Sequence, residues 1–169
     1  MSRKLPLSLC FLALAGAVSA QETFEFEEAL VEQCFQNAAE FGRSDDCVGM
    51  AAGLCMEKNE GGWSTYGMMA CQGLEIAVWD AKLNGEYQRV LAQAKQMDAE
   101  YMDAGAAVPS QEEALREMQR AWIAFRDGTC GYERSLWGNG TGGGPASGGC
   151  MMRMTAAQAI YLAGHGQEY

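Results

Sequence analysis

The sequence predicts an all-α fold: a small, disulfide-stapled bundle of about five helices built around one long central helix. Three observations carry this expectation. Strand signals are nearly absent, and the good helix formers Ala, Met, Glu, Gln and Leu dominate. Apolar residues recur at mostly helical spacings over a long stretch from Leu74 to Tyr101. Cysteines fall where successive helices would turn back on one another.

Residues 1–20 read as a secretory signal. Arg3 and Lys4 are followed by an apolar run to Val18, and Val18-Ser19-Ala20 is a small-residue cleavage site. The run is too short for a permanent membrane span. Cys10 lies inside it and is expected to leave with it. The mature chain would start near Gln21 and keep roughly 150 residues, enough for one compact domain. Residues 21–54 read as an N-terminal helical extension, 55–163 as the main helical domain and 164–169 as a flexible tail.

The elements follow in order. A first helix fits about Phe24 to Phe41, with Ala29, Val31, Cys34, Phe35 and Ala38 forming an apolar stripe. The segment "GRSDD" breaks it, and Asp45 or Asp46 is placed to cap a second helix running to about Lys58. "NEGG" is a turn. Ser64 or Thr65 then caps the long third helix, which reaches about Ala104 along a seam of Leu74, Val78, Ala81, Leu83, Tyr87, Val90, Leu91, Ala94 and Tyr101. Gly105 and Pro109 end it. Ser110 with Glu113 is a capping box for the fourth helix, where Leu115, Met118, Ala121, Trp122 and Phe125 repeat at threes and fours to about Trp137. A final helix is expected over about Gly149 to Ala163.

The full chain carries 12 Lys and Arg against 22 Asp and Glu, a formal net charge of −10. Loss of Arg3 and Lys4 with the signal would make it −12. An acidic surface of this size argues against nucleic acid and anionic lipid and would attract a basic partner. After the signal there remain Cys34, Cys47, Cys55, Cys71, Cys130 and Cys150, an even set in an exported chain, hence a disulfide framework. Zinc is a poor alternative, with no C-x-x-C pair and a lone His165 almost at the C-terminus. Hairpin geometry favours sequential pairing: Cys34–Cys47, Cys55–Cys71 and Cys130–Cys150. Cys47 and Cys55 lie on one helix, their backbones about 12 Å apart from the helical rise. A disulfide needs less than about 7 Å.

"CQGLEIAVWDAKLNGEY" (Cys71 to Tyr87) and "QRAWIAFRDGTC" (Gln119 to Cys130) resemble the two blocks of the LprI-like family, exported bacterial proteins named after a lipoprotein inhibitor of lysozyme. The resemblance covers roughly Cys55 to Leu162. The family's motif residues fall on Trp79, Asp80, Leu83, Asn84 and Tyr87 in the first block and on Trp122, Phe125, Arg126 and Asp127 in the second. The resemblance implies the pairs Cys55–Cys71 and Cys130–Cys150, and leaves Cys34 and Cys47 in an extension. Unlike the namesake, this chain has no lipidation site.

Trp122 and Phe125 fit an apolar stripe facing the core. Arg126 and Asp127 are expected to tie helix four to helix three through Asp80 or Asn84. A groove using Asp80, Arg126 and Asp127 for acid–base work is the less favoured alternative. Nothing else supports an enzyme. His165 reads as exposed in a frayed tail, there is no G-x-S-x-G elbow, and the mature cysteines are expected to be oxidised. The methionine clusters read as core filling. No cofactor or metal is called for.

"WGNGTGGGPASGGC" (Trp137 to Cys150) lacks the Lys, the Ser or Thr and the preceding strand of a phosphate loop. It reads as a slack loop closed by Cys130 and Cys150. Its sequon-like Asn139-Gly140-Thr141 is a chance match, and Asn139 and Thr141 are candidate partner contacts. Trp63 is a third candidate, either an exposed anchor or a lid on the hairpin core. The expected function is a protein-binding module of the bacterial envelope, periplasmic or secreted, without stable membrane insertion, inhibiting a basic lytic enzyme such as lysozyme. The alternative is a non-inhibitory structural or scaffold module.

Overall fold

The computed structural model describes residues 24–41 and 45–165. The expected signal and the last four residues lie outside them. Among the described residues there are five α-helices and one 3₁₀ turn: α1 (Glu28–Phe41), the 3₁₀ turn (Asp45–Cys47), α2 (Met50–Lys58), α3 (Thr65–Asp103), α4 (Gln111–Ser135) and α5 (Gly143–Gly164). The 39 residues of α3 make it the spine of an all-α bundle. It extends for about 58 Å at the helical rise. Helices α4 and α5 pack against it, and α1 and α2 close the remaining side. Among the described residues no helix is long and apolar enough to cross a membrane.

Local chemistry sets most of the boundaries. The Ser64 hydroxyl accepts from the Gly67 N–H at 3.0 Å and opens α3. The Ser110 hydroxyl accepts from the Glu113 N–H at 3.1 Å and opens α4. Each occupies a donor that the helix itself cannot satisfy. Asp98 of α3 reinforces the second start, accepting from the Gln111 N–H at 2.8 Å, the Glu112 N–H at 3.0 Å and the Ser110 hydroxyl at 2.7 Å. At the other end, the Arg89 guanidinium donates to the Leu162 and His165 carbonyls, both at 2.9 Å, and so caps the C-terminus of α5.

Three disulfides staple the bundle: Cys34–Cys47, Cys55–Cys71 and Cys130–Cys150, with Cα–Cα distances of 5.6, 5.7 and 5.4 Å. The core gathers around Trp79 and Leu83, with Val31, Ala52, Cys71, Ala156, Ala159 and Leu162 packed beside them.

The structure corrects four local expectations. The buried line of α3 runs through Cys71, Glu75, Trp79 and Leu83 and on to Leu91 and Ala94, whereas Leu74 and Ala81 face outward. Neither Asp45 nor Asp46 caps α2. Its N-cap is Gly49, without a side-chain hydrogen bond. Helix α4 stops at Ser135, before Trp137.

The fourth correction concerns the glycine-rich stretch, which is not a slack loop. Helix α5 begins at Gly143, so most of "GGGPASGGC" is helical. Pro145 falls within the first turn, where its missing N–H is no loss. The glycines there permit close approach. A Cβ on Gly144 would lie 2.6 Å from Met69 Sδ, and one on Gly148 would lie 2.4 Å from Gln72 Oε1, both on α3.

Candidate partner-binding surface

Two turns meet at one end of the bundle. The first, between α2 and α3, is folded tightly. Gly61 adopts φ 69°, and a Cβ on Gly62 would meet the Met56 carbonyl oxygen at 2.2 Å. Gly67 is as crowded, its Cβ position lying 2.2 Å from the Gly61 carbonyl oxygen. Cys55–Cys71 closes the base of this hairpin. With its backbone fixed in this way, the turn presents Trp63 outward at 62% exposure. Tyr66, also exposed, has its ring 6.0 Å from that of Phe24. Residues 24–27 are held to the same turn by Asn59, which accepts from the Glu25 N–H and donates to the Glu25 carbonyl, both at 2.9 Å.

The second turn joins α4 to α5. Gly138 adopts φ 53°, and the Gly140 N–H donates to the Trp137 carbonyl at 2.8 Å. The Trp137 ring lies over Gly142, where a Cβ would meet it at 2.2 Å, yet the side chain remains 54% exposed. Asn139 and Thr141 are exposed on this turn. The approach of Gly144 to Met69 brings the two turns together. Trp63, Tyr66, Met69 and Trp137 are therefore large apolar groups left exposed on rigid, disulfide-anchored backbone.

The electrostatics of this end are acidic. Glu57 and Glu60 are exposed and form no ion pair among the described residues. Lys58 is compensated by Glu27, and by Glu25 at 3.5 Å. Its ammonium is held above the ordinary lysine value, chiefly by the Glu27 hydrogen bond.

The sequence motif residues divide into two groups. Trp79 and Leu83 are buried. The Trp79 indole N–H donates to Glu75 Oε1 at 3.0 Å, and the Phe35 ring meets its edge at 6.2 Å. Tyr87 is half-buried and packs against the core. Asp80 and Asn84 are exposed and bond to each other at 3.0 Å. On α4, Trp122 is half-buried beneath the Arg126 guanidinium, 4.8 Å from the ring centre. Arg126 pairs with its neighbour Asp127 at 2.9 Å rather than reaching α3 through Asp80 or Asn84. Phe125 is 66% exposed, so it leaves the core-facing stripe expected of it. Asp80 and Asp127 thus each find a partner within their own helix, and no carboxylate pair is assembled between them.

Sequence reasoning missed Glu75. It is 1% exposed. Its Oε1 accepts from the Gly49 N–H at 2.7 Å and its Oε2 from the Ala52 N–H at 2.7 Å. It therefore caps α2 from a different helix, in the role expected of Asp45 or Asp46. The available signal was an acid at four-residue spacing between Cys71 and Trp79 on an otherwise apolar line, where a buried charge needs donors. His165 is exposed, its Nδ1 2.6 Å from the Tyr161 carbonyl oxygen. No cluster of metal-ligating side chains occurs among the described residues.

The family described as Lysozyme inhibitor LprI matches residues 55–162. An uncharacterized protein of Rhizobium meliloti (strain 1021) is 42% identical over 60 residues, covering 36% of this chain and 43% of that protein. The chain thus aligns with less than half the length of that relative. No solved structure matches. The matched span begins at Cys55 and ends at Leu162, taking in α3, α4 and nearly all of α5 with two of the three disulfides, and on this basis the chain belongs to the LprI lysozyme-inhibitor family.

Proposed function

We propose that this protein is an extracytoplasmic, non-catalytic binding module that inhibits a basic lytic enzyme of the lysozyme type. Trp63, Tyr66 and Trp137 would make the contact, with Asn139 and Thr141 at its border. Family membership supports the protein partner. The observation that carries the choice of surface is the pair of indoles left exposed on two rigid turns. Aromatic anchors on pre-organised backbone are the usual centres of binding energy. The net charge of −10 supports a cationic partner, whose approach it would accelerate. Three disulfides in a domain of this size suit an oxidising compartment.

The test is a titration of c-type lysozyme activity with the oxidised protein at low and high salt. Inhibition that weakens with salt is expected. Trp63→Ala and Trp137→Ala should each weaken it about thirtyfold, the effect of losing a hot-spot side chain. Both variants should keep their helicity. Absence of inhibition at high micromolar protein would favour a non-inhibitory structural module. Full inhibition by both variants would remove the surface from the proposal while leaving the activity.

A further inference from the structure

Helix α4 has a second apolar face that the bundle leaves largely uncovered. Ala114, Met118, Ala121, Phe125, Gly128 and Tyr132 follow one another at alternating steps of four and three, the spacing of a coiled-coil seam. Only Met118 is half-buried, at the edge of the core with its Sδ 3.3 Å from the Gln158 amide nitrogen. Ala114, Ala121 and Gly128 are exposed, as are Phe125 and, at 64%, Tyr132. Small and large residues alternate strictly along the line. No contact inside the monomer requires glycine at Gly128, where a Cβ would meet nothing within 4 Å, and the same holds for Gly131 beside the seam. Glycine in mid-helix is unfavourable, and a second helix seated at this position would give its lack of a side chain a use.

We infer that this face pairs with a second copy of itself, antiparallel, about a two-fold axis passing beside Ile123. In that register every large residue meets a small one. Phe125 lies opposite the partner's Ala121, Tyr132 opposite the partner's Ala114, and Met118 opposite the partner's Gly128. The symmetry repeats each contact, as a self-complementary interface requires. Charge selects the same register. Glu113, Arg120, Asp127 and Arg134 follow at seven-residue intervals along the outer side of the seam, alternating in sign. Reversing the helix about Ile123 sets Arg120 one residue, about 1.5 Å of rise, from the level of the partner's Asp127, and Glu113 equally close to the level of the partner's Arg134, within reach of these long side chains. Between these charges and the seam runs the line Glu117, Ala124 and Gly131, whose last two members are small enough to let the two helices approach there. Arg120 forms no ion pair among the described residues, and Asp127, which holds Arg126 of its own helix through Oδ1, would receive the partner's Arg120 on Oδ2. The face shares no residue with the Trp63 and Trp137 surface, although its Tyr132 and Arg134 end adjoins the turn that carries Trp137.

Sedimentation equilibrium of the full oxidised protein tests this. The wild type should show a concentration-dependent monomer–dimer equilibrium. Gly128→Trp fills the open position that the partner's Met118 would occupy, and should weaken the dimer at least about a hundredfold while the monomer keeps at least its wild-type helicity. Arg120→Asp should weaken it about tenfold, and adding Asp127→Arg to the same chain should restore it, because the reversed charges again pair across the axis. Monomer alone at about millimolar protein would overturn the proposal. A dimer indifferent to Gly128→Trp, or a charge swap without rescue, would equally refute this face or this register.

Discussion

Replacing Glu75 by Gln tests the polar node on which α2 depends. The carboxylate is buried and takes three N–H donors, those of Gly49, Ala52 and the Trp79 indole, at 2.7, 2.7 and 3.0 Å. Glutamine has nearly the same shape but only one acceptor oxygen. With that oxygen kept beside Gly49 and Trp79, the new amide N–H₂ faces the Ala52 N–H. In the flipped rotamer two donors are lost instead of one. The cheaper arrangement forfeits one charge-assisted hydrogen bond, about 1.5–3 kcal/mol, and leaves a buried donor facing another donor. A destabilisation of roughly 2–4 kcal/mol follows, a large share of the ~5–15 kcal/mol that holds a domain folded. Urea unfolding of the oxidised protein should show the midpoint falling by about 1–2 M with the slope unchanged. Amide exchange should report the loss locally, with Ala52 and its neighbours in α2 becoming less protected than α4. An exposed control, Glu57→Gln, should stay within about 0.5 kcal/mol of wild type. A Glu75→Gln shift no larger than the control's would refute the capping role.

Two further outcomes follow from the same geometry. The Asp98 carboxyl is held below its ordinary value, first by the Glu112 N–H, then by the Ser110 hydroxyl and the Gln111 N–H. A depressed folded-state value means stability that is fully present above the unfolded aspartate range and lost as pH falls through the folded value. Asp98→Ala should therefore melt a few degrees lower than wild type at neutral pH, with the difference vanishing in strong acid. An equal difference at both pH values would contradict the linkage. Gly67→Ala places a Cβ 2.2 Å from the Gly61 carbonyl oxygen and 2.6 Å from Gly62 Cα, backbone atoms that cannot turn aside. It should cost on the order of 2 kcal/mol or more, read by thermal melting. A neutral substitution there would mean that the hairpin is looser than described.

The sequence alone determined the helices and the way they fold back. Ser64 and Ser110 could be read as caps because capping is settled within four residues of chain. The length of α3 was legible because its helical pattern and composition run unbroken from Thr65 to Asp103. What the tertiary structure decided lies where a distant neighbour overrides local preference. Seven residues from Gly143 to Gly149 include four glycines and a proline, and by propensity they read as loop. They are nevertheless helical, and α3 and α4 crowd them so closely that larger side chains would strike Met69, Gln72 and Arg134. Glu75 was equally hidden. Two of its three donors lie at the start of a helix some twenty-five residues earlier in the chain, and no local pattern records that an acid will cap another helix. Phe125 illustrates the same limit from the opposite side. Its spacing on α4 suited the core, but α5 covers only one flank of that helix, so Trp122 turns inward and Phe125 stays in solvent. Periodicity specifies which residues share a face of a helix, and packing alone specifies which face is covered.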